Sequence, residues 1–257
     1  MSFDWSNKVV LITGASSGIG RGLALALAKR GARLGLVARR ADLLDEIVGE
    51  VEREPGKAVA FVADVQDQAA MRAAADRLRA EFGAVDMLIA NAGIGTTTDA
   101  AQLDATEVAK VFGVNVVGAA SSVAAVVPEM IQRGSGHLVA ISSLAAYRGI
   151  PKSATYGASK AAVSLFFESL RLDLQPRGID VTIIHPGFIK TPLTAGREAT
   201  MPFLMELDYA VAKIIGAIEK KRKSYAFPWQ LASIVRLGLL MPIPMYDRIA
   251  GKRSFRE

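Results

Sequence analysis

Few folds accommodate the stretch from Val9 to Gly31. Residues 9–12, Val-Val-Leu-Ile, form a short apolar run rich in β-branched side chains, the pattern of a buried strand. Thr13-Gly14-Ala15-Ser16-Ser17-Gly18-Ile19-Gly20 follows directly. Ile19, Leu23 and Leu27 then recur on one face of a helix, and Gly31 stops it. Strand, glycine-rich turn and helix together read as the opening of a parallel βαβ unit. Gly14 permits the tight turn, Gly18 lets a pyrophosphate approach the backbone, and Gly20 lets the helix pack on the strand. The unpaired N–H groups at the helix start form an anion site. An ordinary β-turn-α connection would not need three glycines. The candidate dinucleotide cradle is therefore Gly14, Ser16, Ser17, Gly18, Ile19 and Gly20.

The rest of the chain repeats the alternation. Strand-like apolar runs fall at 34–38, 58–62, 87–90, 137–141, 180–184 and 224–227. Helical periodicity falls between them, at 42–53, 71–82, 106–132, about 155–174 and 209–220. This predicts an α/β chain: a single-domain Rossmann-like doubly wound sheet of about seven mostly parallel strands, helices on both faces. The 257 residues suit one such domain, and no repeat or linker divides them. An apolar, basic C-terminal extension begins at about residue 228.

Ligands of such sheets bind beyond the carboxyl ends of the strands. An acid near the end of the second strand would bond a ribose 2′-hydroxyl, but Ala38, Arg39 and Arg40 stand there. Two guanidiniums suit a 2′-phosphate, which predicts NADP(H) as the preferred cofactor with NAD(H) possible. Asp64, Val65, Asn91, Ala92 and Gly93 follow later strands, and Pro186, Gly187, Ile189 and Thr191 follow the sixth.

The reactive chemistry sits in 143–160. Tyr156 and Lys160 are four residues apart in a helical pattern and share a face. An ammonium beside a phenol favours the phenolate, which makes Tyr156 a usable proton donor and acceptor. Ser143 follows the fifth strand, where its hydroxyl can hold a substrate oxygen. Asn115 is polar within an apolar helical run; it is either a helix-bending, backbone-bonding residue or a site residue.

Composition removes other classes. The chain has no cysteine and two histidines, His137 and His185, with no ligand spacing, so no metal site is expected. His185 reads as a packed or turn residue rather than a catalyst, since Tyr156 already offers an acid. The net charge of +6 is uneven, because residues 213–257 hold 10 Lys+Arg against 3 Asp+Glu. No nucleic-acid motif accompanies that excess, so no nucleic-acid partner is expected. The N-terminus lacks the apolar core of a signal peptide, which predicts a cytoplasmic protein. Residues 193–208 read as a mobile apolar flap. Residues 231–245 are strongly apolar but broken by Arg236, Pro242 and Pro244, too short to span a bilayer. That segment predicts a homo-oligomer, with peripheral membrane contact as the lesser outcome. Val163, Phe166, Phe167 and Leu170 are candidates to extend a subunit interface.

Taken in order, Thr13-Gly14-x-x-x-Gly18-Ile19-Gly20, Asp64, Asn91-Ala92-Gly93, Asn115, Ser143, Tyr156-x-x-x-Lys160 and Pro186-Gly187 with Thr191 resemble the short-chain dehydrogenase/reductase family, in its compact branch. The resemblance runs from about Lys8 to Phe227, and it implies a homodimer or homotetramer. It implies an oxidoreductase interconverting a carbonyl and a secondary alcohol with a nicotinamide cofactor. It makes Tyr156 the general acid, Lys160 its activator and a ribose ligand, Ser143 the holder of the carbonyl oxygen, and Asn115 part of a proton path. Asp64 and Val65 would contact adenine, and Asn91, Ala92 and Gly93 would pack along the cofactor. Pro186, Gly187, Ile189 and Thr191 would fix the nicotinamide. The flap suggests an apolar substrate. The contrasting readings are a dinucleotide-sensing or scaffold protein of the same fold, and a membrane-peripheral lipid- or steroid-directed reductase. Loss of Tyr156 or Lys160 would mark the former, and both are present.

Overall fold

The computed structural model describes residues 3–196 and 200–251. Its strands are β1 (Val9–Thr13), β2 (Arg33–Ala38), β3 (Lys57–Val62), β4 (Met87–Ala90), β5 (Gly136–Ile141), β6 (Ile179–Pro186) and β7 (Ser224–Phe227). They form one 7-stranded sheet in the order β3-β2-β1-β4-β5-β6-β7, and every neighbouring pair is parallel. The central strand β1 shows why the run at 9–12 had to be buried. Val10 and Ile12 point into one core, Val9 and Leu11 into the other. Burying one such side chain contributes roughly 2 kcal/mol.

Helices α1 (Gly18–Ala28), α2 (Ala41–Val51) and α7 (Leu207–Glu219) cover the first core. Helices α3 (Gln68–Phe82), α5 (Gly118–Arg133) and α6 (Ala154–Leu174) cover the second. The chain is a single-domain Rossmann-like fold. Because all strands are parallel, their carboxyl ends share one edge. Strand order reverses between β1 and β4, which opens a crevice above them.

Two helical stretches differ from the sequence expectation. The helical run at 106–132 is α4 (Ala105–Phe112) and α5, joined by a π turn at Gly113–Val117. Asn115 sits in that turn and bonds a neighbouring backbone segment, which periodicity alone does not register. The joined run Ala105–Arg133 is long and apolar enough to cross a membrane by length and composition, yet half of its most apolar window is buried inside the protein. In α6, Val163 and Phe167 are buried, and Phe166 and Leu170 pack against the same core. Those four residues form the inward stripe, so the outward apolar residues of α6 are Leu165 and Leu172.

The apolar extension forms α8 (Trp229–Leu240) and α9 (Ile243–Ala250). Met241, the residue before Pro242, leaves the helical region at ψ 132, as a following proline favours. The flap is partly built into the body. Ile189 bridges to Met205, and Met201 and Met205 are buried. Residues 197–199 of the expected mobile flap, and 252–257 of the basic tail, lie outside the described residues.

Candidate active site

The end of β1 is tied to the end of β4. The Thr13 hydroxyl accepts from the backbone N–H of Asn91 and of Ala92, both at 3.1 Å. The Asn91 amide donates to the carbonyls of Thr13 at 2.9 Å and Gly14 at 3.2 Å. This lacing presses the two strand ends together, and Gly14 answers it. A Cβ at Gly14 would lie 2.8 Å from the Ala92 Cα, and its φ is +65°. At Gly20 a Cβ would lie 2.3 Å from the Gly14 carbonyl oxygen, so α1 packs on the turn only with glycine there.

The start of α1 is open to an anion. Ser17, its N-cap, makes no capping bond with its side chain, and no acid stands in the first turn. Beside it, Arg40 donates to the hydroxyls of Ser16 at 2.8 Å and Ser17 at 2.9 Å. Arg39 leans toward Asp64 at 3.7 Å and is largely exposed. Two guanidiniums therefore flank the turn at the end of β2.

The other half of the crevice is built by β5 and α6. The Ser142 hydroxyl donates to the Lys160 carbonyl at 3.0 Å, and Ser164 donates to the same oxygen at 2.8 Å. The Ser142 bond fastens α6 to the end of β5, and the Ser164 bond is made within α6. Lys160 is buried, and its Nζ donates to the Ile141 carbonyl at 2.9 Å. Burial pushes its ammonium down from 10.5 to about 8. Nζ lies 5.9 Å from the centroid of the Tyr156 ring. Ser143 begins the 3₁₀ turn Leu144–Ala146 and accepts from the Ala145 N–H at 3.1 Å.

Asn115 is buried behind these groups. Its Oδ1 accepts from the Ile94 N–H at 2.8 Å, and its Nδ2 donates to the Ile94 carbonyl at 3.0 Å and to Ser159 at 2.9 Å. Gly93 lies between Asn115 and Lys160. A Cβ there would be 3.3 Å from Asn115 Oδ1 and 3.2 Å from Lys160 Nζ. Both readings of Asn115 thus meet in one geometry: it bonds the backbone, and it stands next to Lys160.

These groups border one cleft of about 530 Å³. Every residue singled out from the sequence as catalytic or cofactor-binding lines it, except Gly20 and Asn115, which lie directly behind. The lining also has an apolar part: Leu144, Ile150, Leu231 and Val235, which no motif announces, and Leu193 and Met201 of the stretch expected as an apolar flap. His185 lies off the cleft lining. It is buried with its ring 4.9 Å from Tyr147, and burial pushes its imidazole down to about 4.

The profile described as short chain dehydrogenase matches residues 8–202. The chain belongs to that family. An uncharacterized oxidoreductase of Myxococcus xanthus is 43% identical over 249 residues, 97% of this chain and 98% of its own. Two solved structures of short-chain dehydrogenase fold share the architecture. One, a short chain dehydrogenase from Mycobacterium paratuberculosis bound to NAD, has a TM-score of 0.80 at 26% identity, covering 87% of this chain and 96% of its own. The other, L-sorbose reductase from Gluconobacter frateurii complexed with NADPH and L-sorbose, has a TM-score of 0.80 at 25% identity, covering 88% and 97%. Membership makes the chain an oxidoreductase of the short-chain dehydrogenase type.

Proposed function

We propose that this chain is an NADP(H)-dependent oxidoreductase interconverting a carbonyl and a secondary alcohol on an apolar substrate. The observation that carries the reading is the buried Lys160 beside Tyr156 at the floor of the cleft. A buried cation without a task would be a costly feature. Here it favours the phenolate of Tyr156, so the phenol can surrender its proton to a carbonyl oxygen that is gaining charge. In the reverse direction the phenolate takes that proton from the alcohol. Ser143 would donate to the same oxygen. Asn115, through Ile94 and Ser159, holds the segments on either side of Lys160 and belongs to the proton path.

A nicotinamide dinucleotide, when bound, supplies or accepts the hydride at the substrate carbon. The cradle suits its phosphates. The α1 start is uncapped by side chains, Gly14 leaves room for a close turn, and Gly18, Ile19 and Thr191 border the same space. Asp64 and Val65 would take the adenine, Asn91, Ala92 and Gly93 the length of the cofactor, and Pro186, Gly187, Ile189 and Thr191 the nicotinamide. Similar structures are bound to NAD in one case and NADPH in the other. For this chain Arg39 and Arg40 support NADP(H), because no acid stands at the end of β2 and Arg40 already bridges to Ser16. The apolar part of the cleft supports an apolar substrate.

The test is a panel of ketones and secondary alcohols assayed with both cofactors. NADPH should give the higher kcat/KM. Arg39→Asp removes a phosphate partner and adds repulsion, and should shift the ratio toward NADH by about tenfold or more. A wild-type protein already preferring NADH would refute the phosphate reading. The exposed apolar face of α8 and α9 further supports a homo-oligomer, with an anionic membrane surface as the competing partner.

A further inference from the structure

The apolar part of the cleft is walled by α8, and one side chain far away in sequence holds that helix in place. Arg148 lies in the segment between Ser143 and α6. Its Nη1 donates to the carbonyls of Gly238 and of Met241, the latter at 3.0 Å. Those carbonyls end α8, where the helix dipole concentrates negative charge and intrahelical partners run out. The Arg148 guanidinium also lies 3.8 Å from the centroid of the Tyr246 ring, on α9. Tyr246 closes the loop by donating its hydroxyl to the Gly149 carbonyl at 2.5 Å. Arg148 is thus sandwiched between the end of α8 and the ring from α9, and Gly149 is bonded in turn. Ile150, the next residue, lines the cleft.

At its other end, α8 presses on the turn after β6. The Gly187 N–H donates to the Phe227 carbonyl at 2.7 Å. A Cβ at Gly187 would lie 3.0 Å from Leu231 Cδ2, 3.0 Å from Pro228 Cδ and 3.5 Å from Leu144 Cδ1. The Leu231 wall therefore stands against the segment that borders the reactive end of the cleft. Val235 is one helical turn further on.

We propose that Arg148 is a positioning residue for substrate specificity. By latching α8 and α9 to the 148–150 segment, it sets Leu231 and Val235 as the wall that selects carbonyl compounds bearing an extended apolar group. This rests on the carbonyl–alcohol reading above. The latch acts on the distant end of the substrate, so it bears on KM for large substrates and leaves proton transfer at Tyr156 alone.

Two measurements on the full chain test this. In the first, kcat and KM are measured with NADPH for 2-alkanones from butanone to dodecan-2-one. Arg148→Met keeps the stem and removes the donors. It should lower kcat/KM for dodecan-2-one by about tenfold, through KM, and leave butanone within about twofold. Arg148→Lys should recover part of the loss. Leu231→Ala should lower the long-chain value, and adding it to Arg148→Met should cost less than the product of the two. Equal losses for short and long ketones, or unchanged selectivity, would overturn the proposal. In the second, backbone hydrogen exchange over residues 229–250 is compared between wild type and Arg148→Met. Faster exchange confined to those two helices and to 148–153 is expected. Unchanged exchange would overturn the latch whether or not any ketone turns over. Absence of turnover across the whole panel, with the exchange difference present, would sink the carbonyl–alcohol reading and the chain-length selectivity that rests on it, and leave the latch itself standing.

Discussion

Among the described residues, Lys160 is the one buried Lys, Arg, Asp or Glu. Its ammonium is held at about 8, so it is charged at neutral pH and discharges above that value. Between about 8 and 10.5 the unfolded chain binds more protons at this site than the folded one, so this site's contribution to stability rises with pH across that window. At pH 7 the burial penalty is fully present. Lys160→Met should therefore lower turnover by about a hundredfold or more, and weaken cofactor affinity, while changing stability at pH 7 by no more than about 1 kcal/mol. Denaturant unfolding at pH 7 and pH 10 checks this. The variant should lack the alkaline gain of the wild type, and a marked loss of stability at pH 7 would contradict the account. Carbonyl reduction by the wild type should decline as pH rises through about 8. Residues at this scale were readable in the sequence because their chemistry is local. The type and spacing of Tyr156 and Lys160 gain weight only beside the glycine-rich turn at 13–20. Arg148 has no such signal, because its partners lie some 90 residues further along, and no motif joins them.

At the scale of elements, the strands were legible within a few residues, because a parallel strand buried on both faces must be apolar throughout. The π turn was not. Val114, Val116 and Val117 keep the apolar character running, while the local hydrogen-bond period changes. The stretch forming α8 and α9 was readable as apolar but not as two helices, although Pro242 and Pro244 mark a helix start. Its outward face is the clearest unmet demand of the fold. Leu240 is 84% exposed, Trp229 72% and Ile243 68%. A surface of that kind calls for a covering partner. Light scattering should find the wild type above monomer mass. Leu240→Glu combined with Ile243→Glu should lower that mass and spare turnover. A monomeric wild type that also fails to float with anionic vesicles would remove both proposed partners.

At the scale of the whole molecule, the parallel sheet performs the assembly. It brings residues from positions 14 to 191 to one edge, so that motifs dispersed along the chain border a single cleft. Their order in the sequence was therefore enough to place most of the cleft. The apolar part was less legible, since Leu144, Ile150 and Leu231 look like any core residues until the fold sets them together. The central claim is that this cleft passes a proton through Tyr156 during carbonyl–alcohol interconversion. Tyr156→Phe keeps the ring and removes the hydroxyl. Its kcat on the best ketone of the panel, measured with its NADPH dissociation constant, tests the claim most directly. In this variant kcat should fall by about a hundredfold or more while NADPH binds within about threefold of wild type. A variant that retains near-normal kcat would contradict it.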